Sequence, residues 1–146
     1  MTKYRARQHS GRMAGAAGVE FALVFPIFLL VVFGTVELGT ALYDRAILTN
    51  ASREAARAGV MLQTTPMTPA SIGNVARNYV QNFLIDYSGA APTPTVTVTN
   101  LDGNTLTGSR LQVQVSYTFN GLLLGPMFAS VSGPMGINAV TVMKYE

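Results

Sequence analysis

The pattern of hydrophobic positions is dominated by one apolar run near the N-terminus. From Val19 to Tyr43 the chain has no Lys or Arg, and from Phe21 to Val36 it is almost unbroken Phe, Leu, Val, Ile and Ala. A helix of about 20 apolar residues spans the hydrocarbon core of a bilayer. Residues Ala22–Tyr43 reach that length if Glu37 lies near the far interface. The pattern therefore predicts a single transmembrane helix.

Beyond Tyr43 the pattern stays helical but becomes amphipathic. Apolar residues recur at helical spacing as far as Leu62, so the helix is predicted to continue outward from the membrane. These residues are Ile47, Leu48, Ala51, Ala55, Ala58 and Leu62. The helix should stop at Gln63–Pro66, because the residue before a proline is disfavoured in the α region.

A second, amphipathic helix is predicted after Pro66. Thr68 is placed to cap it, and Pro69 suits the first helical position. Its apolar face comprises Ile72, Val75, Ala76, Tyr79, Val80, Phe83 and Leu84. We expect this face to pack in the core of a folded domain.

Three strands are predicted in the rest of the chain. Residues 95–99 alternate Thr and Val, residues 111–119 alternate apolar and polar side chains, and a last strand is predicted over 137–144. Three antiparallel strands with one apolar face, covered by the second helix, form a minimal α+β core. Within it, Tyr117 and Phe119 are expected to be packing residues.

The charge of the chain is concentrated at its start. The formal net charge is +3, and Lys3, Arg5, Arg7 and Arg12 precede the apolar run with no acidic residue among them. From Ala16 onward, six basic residues face seven acidic ones, so the remainder is close to neutral. The basic leader should hold its side of the helix in the cytoplasm, which exports everything after the helix. The basic balance therefore does not indicate a nucleic-acid partner.

Residues that support catalysis or metal binding are scarce. The chain has no Cys, and its single His, His9, lies in the leader, which excludes a Cys-ligated metal and a Ser–His pair in the exported part. Asp86 and Asp102 fall in predicted loops, and nothing in the sequence places them together. We therefore predict no enzymatic activity, no cofactor and no metal site.

A short motif directly before the apolar run carries the most information. It runs Gly15-Ala16-Ala17-Gly18-Val19-Glu20-Phe21. A charged carboxylate costs roughly 2.5 kcal/mol or more at the centre of a bilayer. Near the start of a helix the dipole favours an anion. Even there, we expect Glu20 to need a positively charged partner. A basic leader that ends in Gly, with Glu five residues later, resembles the type IV prepilin processing pattern.

This resemblance implies a role for each residue of the motif. Gly15 would be the last residue of the leader, Ala16 the new N-terminus and Glu20, followed by Phe21, the fifth residue of the mature chain. A prepilin peptidase would cut after Gly15 on the cytoplasmic face. The new amine of one subunit would then pair with Glu20 of its neighbour, which neutralises two buried charges and sets the register between subunits.

The wider sequence is similar to the TadE-like proteins of the Flp/Tad (tight adherence) pilus. Residues 18–26, 50–59 and 139–146 carry the resemblance, whereas residues 61–110 match nothing familiar. It implies a minor pseudopilin, with the prepilin peptidase, other Tad pilus subunits and inner-membrane platform proteins as partners. Arg53, Glu54 and Arg57 are candidate juxtamembrane contacts, although a solvated helix face is equally expected.

These observations divide the chain into three parts. Residues 1–15 are predicted to be a prepilin-type leader, residues 16–62 a transmembrane helix with an amphipathic extension, and residues 63–146 an exported α+β domain. The predicted location is the bacterial inner membrane, with lipid around the helix and the domain in the periplasm or outside. Association with the pilus itself stays open.

Three alternatives remain at this stage. The chain could be a signal-anchored exported domain that binds a partner or the envelope without a filament. It could also be secreted after cleavage near Gly39–Ala41. Finally, Glu37 either marks the outer interface, as we expect, or is a second intramembrane pairing site.

Overall fold

The computed structural model describes residues 10–61, 65–122, 125–127, 130 and 133–146. Two helices precede three strands in this part of the chain. They are α1 (Ser10–Val60), α2 (Pro69–Val80), β1 (Thr95–Asn100), β2 (Arg110–Phe119) and β3 (Met135–Lys144). The predicted α+β class is confirmed, with its long apolar helix, shorter second helix and antiparallel sheet of three strands. Residues 1–9 of the predicted leader, and the predicted boundary between residues 62 and 63, lie outside the described residues.

α1 is one continuous helix of 51 residues that contains Pro26. It ends at Val60, slightly before the predicted stop at Gln63–Pro66. The chain divides within α1 into two compact units, the first ending at Val36 and the second comprising Glu37–Glu146. We refer to the second unit as the domain.

α2 begins as its sequence predicts. Thr68 has an extended backbone, and its Oγ1 accepts a hydrogen bond from the backbone N–H of Ser71 at 3.2 Å, which satisfies a free donor of the first turn. The prediction that Phe83 belongs to the buried face was wrong, since its side chain is 51% exposed. The reason is that α2 ends at Val80, so helical spacing no longer decides which way Phe83 points.

The sheet has the order β1-β2-β3, and both pairings are antiparallel. β2 is the central strand, and its register places Val113 opposite Val98 and Thr141. Alternate residues of β2 are buried, as predicted: Leu111, Val113, Val115, Tyr117 and Phe119. Because side chains of a strand point alternately to its two faces, this pattern fixes the face that covers the core.

The core forms where α1 and α2 pack with the buried face of the sheet. From α1 it takes Leu48, Ala51, Ala55, Ala56 and Val60. The first three were predicted, whereas Ala58 is only half-buried and Leu62 lies outside the described residues. A hydrogen bond between Ser52 Oγ and Thr141 Oγ1, 2.7 Å long, joins α1 to β3.

Gly59 marks the closest approach of the three packed elements. A Cβ atom on Gly59 would lie 2.6 Å from Leu111 Cδ2 and 2.7 Å from Ile72 Cδ1. Both of those side chains are about 1% exposed and have little room to move. A larger residue here would therefore have to displace the side chains of Leu111 and Ile72, which pack α1 against α2 and β2.

α1 and β2 run in opposite directions, which defines two ends of the domain. Gly59, late in α1, lies against Leu111 at the start of β2. Glu37 lies at the other end, where its Oε2 accepts the backbone N–H of Gly125, beyond the end of β2, at 3.3 Å. We term the end at Glu37 the proximal end, and the end at Gly59, with the turn over residues 101–109, the distal end.

Gly59→Ala should lower the free energy of unfolding by about 1 kcal/mol. Overpacking costs roughly 2 kcal/mol, and replacing a helical glycine returns about 1 kcal/mol. Gly73→Ala in α2 is the matched control, because the nearest atom to its Cβ is Arg77 Nη1 at an ordinary 3.5 Å. It should stabilise the domain by about 0.5–1 kcal/mol. Thermal unfolding of the full chain in detergent, followed by circular dichroism, measures the stability of both variants. Melting temperatures that shift in the same direction for Gly59→Ala and Gly73→Ala would contradict the packing described for Gly59.

Candidate functional site

The first functional feature is the exposed apolar part of α1. None of the residues from Gly15 to Val36 is buried, and large side chains such as Val19 (70%) and Leu23 (68%) are largely exposed. This part of α1 is long and apolar enough to cross a membrane. A continuous apolar surface of this size requires apolar surroundings. The helix therefore supports anchoring of the chain in a membrane.

The exposed stretch ends earlier than the predicted limit at Tyr43. Glu37 is only 3% exposed and Asp44 is fully buried, and both belong to the domain. Residues 16–36 rise about 32 Å at 1.5 Å per residue, which matches a hydrocarbon core of about 30 Å. The helix can thus cross a bilayer before the domain begins.

Glu37 has a role that neither sequence interpretation anticipated. Besides its bond with Gly125, it lies so close to Gly121 that a Cβ there would be 2.8 Å from Glu37 Oε2. The same Cβ would lie 2.9 Å from the backbone N of Gly125, so glycine is favoured where the chain leaves β2. Glu37 connects α1 to the segment that follows β2.

The predicted processing motif lies fully on the surface of α1. Gly15, Ala16, Glu20 and Phe21 are all exposed. The rings of Phe21 and Phe25 stack with centroids 4.9 Å apart. Among the described residues, nothing forms a hydrogen bond or an ion pair with Glu20. Its carboxylate is therefore available to another chain.

The helix dipole does not stabilise Glu20 in the full-length chain. Because α1 begins at Ser10, Glu20 lies about three turns inside the helix rather than in its first turn. The favourable dipole interaction is confined to the first turn. A helix that began at Ala16 would bring Glu20 much closer to its positive end.

The predicted juxtamembrane residues share one solvated face of α1. Arg53, Glu54 and Arg57 are all exposed, whereas their neighbours Ala55 and Ala56 are fully buried. Their spacing would allow an ion pair between Glu54 and Arg57, but the structure does not show one. Within the described ranges the ion pair that is found joins Asp102 to Arg110 at 2.7 Å. The three side chains thus point away from the core and are accessible to a partner.

A buried acidic residue, Asp44, lies near the proximal end of the domain. Its Oδ1 accepts the backbone N–H of Ile85 at 3.0 Å. Its Oδ2 is buried and has no hydrogen-bond partner among the residues that the structure describes. Burial raises the pKa of Asp44, the bond from Ile85 opposes the rise, and the negative charge of Asp86 adds to it.

Asp86 joins the segment before β1 to the end of β2. It accepts hydrogen bonds from the hydroxyl of Tyr117 at 2.7 Å, from Asn120 Nδ2 at 3.1 Å and from the backbone N–H of Ser88 at 2.7 Å. Burial alone would raise the pKa of Asp86, but these bonds outweigh it and lower the pKa to about 2. Burial and the neighbouring Asp86 raise the pKa of Tyr117 well above its ordinary value.

Sequence reasoning missed the pair formed by Asp44 and Asp86. It treated Asp86 as an isolated loop residue, and it gave Asp44 no role. One signal was present, since Asp44, Leu48, Ala51 and Ala55 follow one another at the spacing of a single helix face. An acid on an apolar stripe indicates a buried polar contact.

The described part of the chain offers no evident centre for chemistry. No three His, Cys, Asp or Glu side chains within it are grouped to hold a metal ion. A cleft of about 380 Å³ opens at the proximal end beside Asn120. Its walls include Tyr87, Phe119, Leu122, Pro126 and Pro134. This lining is mostly apolar and provides no acid–base pair.

The fold and the exposed helix define a small α+β domain carried on a single membrane-anchoring helix. Residues 15–57 match the model of a protein family described as TadE-like protein, so this part of the chain is TadE-like. The match includes the Gly15–Phe21 motif and Arg53, Glu54 and Arg57. It confirms the predicted resemblance to TadE-like proteins. No curated protein and no solved structure matches the chain.

Asp44 should make the stability of the domain depend on pH. Because its folded pKa is raised above 3.8, the stability it provides is present below pH 3.8 and is lost as the pH rises through the folded pKa. Asp44→Asn cannot ionise, so its melting temperature should rise relative to the parent chain between pH 4 and neutral pH. Thermal unfolding in detergent across this range checks the result.

Asp86→Asn is the control with the opposite sign. The lowered pKa of Asp86 provides stability that is present above pH 3.8 and is lost as the pH falls toward about 2. This variant should therefore melt below the parent at neutral pH and approach it in acid. Parallel melting curves for parent and Asp44→Asn would contradict the raised pKa of the buried Asp44 carboxyl.

Proposed function

We propose that this chain is a minor pseudopilin of a Tad-type secretion and adhesion system, cut by a prepilin peptidase between Gly15 and Ala16. One observation carries the proposal: Glu20 is exposed on an apolar TadE-like helix and has no partner within the described part of its own chain. A carboxylate in such surroundings needs a cation. The resemblance to prepilins supplies that cation as the new N-terminal amine of a neighbouring subunit.

The length of the helix fits this cut. A chain that starts at Ala16 has residues 16–36 to cross the bilayer, a rise of about 32 Å with little to spare. Ala16 then lies near the cytoplasmic surface, and Glu20 lies about 6 Å deeper. Two parallel helices offset by about that distance would bring the amine of one beside the carboxylate of the other.

The mature chain has no other cation at the right depth. Cleavage removes Arg12, and the next basic residue after Glu20 is Arg45. Arg45 is about 38 Å from Glu20 along the helix, too far for a direct pair. The new amine is thus the cation best placed for Glu20, which links processing directly to subunit association.

The domain would act outside the cytoplasm, in the periplasm or beyond. It carries its own core, and the exposed face with Arg53, Glu54 and Arg57 lies on the α1 section that the family match covers. We infer that this face meets other Tad pilus subunits or inner-membrane platform proteins. A protein of this kind is a substrate of the peptidase and a structural part of the assembly rather than an enzyme.

The intact mass of the membrane-extracted chain tests processing. With the cognate prepilin peptidase present, the chain should begin at Ala16. Without the peptidase, or after Gly15→Leu, it should begin at Met1. A chain that keeps its leader beside an active peptidase would leave a signal-anchored domain, and cleavage near Ala41 would indicate a secreted protein. Either result would remove the pseudopilin proposal.

Glu20→Gln tests the pairing separately from processing. The substitution keeps the shape of the side chain but removes its charge, so partner subunits recovered with the chain should fall about tenfold or more. Glu54→Gln is the matched control, because Glu54 is an exposed acid on the same helix, and it should leave recovery unchanged. Equal recovery with both variants would count against Glu20 as the pairing residue, whatever the mass measurement shows.

A further inference from the structure

The two edge strands of the sheet differ in how well their edges are protected. In the order β1-β2-β3 both β1 and β3 lie at an edge. β1 has six residues, follows Pro92 and Pro94, and is contacted by α2. Short length and nearby prolines keep an edge strand from pairing with other chains. β3 has ten residues, none of them proline, and no charged residue before Lys144, so its edge lacks these protections.

The register shows which backbone groups β3 turns away from β2. The N–H of Tyr145, just beyond β3, donates to the carbonyl of Ser109 at 2.9 Å, and Ser109 directly precedes β2. In an antiparallel pair every second residue bonds to the partner strand, and the residues between them point their N–H and C=O groups to the other side. Counting back from Tyr145, these outward residues of β3 are Gly136, Asn138, Val140, Val142 and Lys144. Within the described ranges, no hydrogen bond to their backbone groups is found.

A groove of about 340 Å³ has α1 as one wall and the first part of β3 as the other. Its lining comprises Leu38, Ala41, Leu42, Arg45, Met135, Gly136, Ile137 and Asn138. All eight residues belong to the domain. Leu38 and Leu42 are 59% and 58% exposed, so the apolar wall on α1 is open to a partner. The groove thus combines apolar side chains with the free backbone groups of Gly136 and Asn138.

The two walls of the groove match in length and direction. α1 and β3 both run opposite to β2, so they run the same way. From Leu38 to Arg45 the helix rises about 10 Å, and from Met135 to Asn138 the strand also rises about 10 Å. Arg45 therefore lies toward the Asn138 end of the groove. This length suits three or four residues of an extended chain.

Arg45 gives the groove its one charge. The Arg45 side chain is exposed, and no acidic residue in the described part of the chain forms an ion pair with it. No Asp, Glu, Lys or Arg occurs from Gly121 to Met143, so the β3 wall is neutral. A guanidinium pairs well with a carboxylate, and complementary charge selects the partner and its register. The occupant that fits is therefore apolar along the groove and acidic at the Arg45 end.

We propose that β3 accepts an extended segment of a partner protein as a fourth strand of the sheet. The segment runs antiparallel to β3 and bonds to the outward N–H and C=O groups of Gly136 and Asn138. Its alternate apolar side chains enter the groove, and an acidic side chain meets Arg45. Main-chain bonds then supply affinity and the groove supplies specificity, as in other cases of strand addition.

A partner protein fits this site better than a second copy of the chain. A second copy would have to offer one of its own edge strands, and neither β1 nor β3 contains an acidic residue to meet Arg45. The site also involves neither Glu20 nor the leader. It therefore adds a contact that is separate from the pairing of subunits through Glu20.

Two labelled peptides serve as probes of the full-length chain in detergent. One has the sequence Thr-Glu-Thr-Val-Thr-Leu-Thr with acetylated and amidated ends, and the other has Lys in place of Glu. In the antiparallel orientation the Glu comes beside Arg45, and the Val and Leu lie along the groove. Fluorescence anisotropy, corrected for binding to empty micelles, measures affinity. The parent chain should bind the Glu peptide about fivefold more tightly than the Lys peptide, because Arg45 attracts one and repels the other.

Asn138→Pro tests the strand edge. Proline removes an outward N–H and places its ring where the added strand would lie, while the bonds of β3 to β2 remain. The affinity for the Glu peptide should fall about tenfold or more, with a melting temperature close to that of the parent. Asn138→Thr is the matched control, because threonine keeps the N–H and suits a strand. It should bind the peptide like the parent.

Arg45→Glu tests the other wall and also serves if Asn138→Pro misfolds. It should invert the preference, so that the Lys peptide binds more tightly than the Glu peptide. The proposal fails if neither peptide binds the parent, if both Asn138 variants bind equally, or if Arg45→Glu keeps the parent's preference. A parent chain that sediments as a dimer without peptide, and as a monomer after Asn138→Pro, would assign the edge to a second copy instead. None of these results bears on cleavage or on Glu20.

Discussion

The structure depends on one helix that has to suit two different environments. In a membrane every backbone polar group must be satisfied within the segment, and a continuous helix achieves this. The same helix, α1, then supplies small residues to the core of the domain, where Gly59 allows α2 and β2 to approach closely. The change occurs between Val36 and Glu37 without a break in the helix. The domain therefore begins within α1, at the buried Glu37.

Three acids organise the proximal half of the domain, each in a different way. Glu37 fixes the connection after β2, and Asp86 ties the segment before β1 to the end of β2. Within the described ranges, Asp44 accepts a hydrogen bond on one oxygen only, from the segment that follows α2. An acid buried in this way costs stability when ionised. The proximal half thus combines fixed polar contacts inside with apolar side chains outside.

The family match and the folded domain concern largely different parts of the chain. Residues 15–57, which match the TadE-like family model, fall entirely within α1 and include Glu20 and the face with Arg53, Glu54 and Arg57. α2 and the sheet lie beyond the matched residues. In the proposed function the helix brings subunits together through Glu20.

The sequence by itself predicted both helices, the three strands and the family resemblance. A long apolar run, a Thr-Pro start to a helix and alternation with a period of two arise from local geometry, so neighbouring residues are enough to predict them. Tertiary structure decided the rest: where the exposed part of α1 ends, that Phe83 points outward, and that Asp44 and Asp86 come close together. These features depend on contacts between residues far apart in the chain, which no local pattern encodes. Burial of Glu37, for example, follows from glycines that come more than eighty residues later.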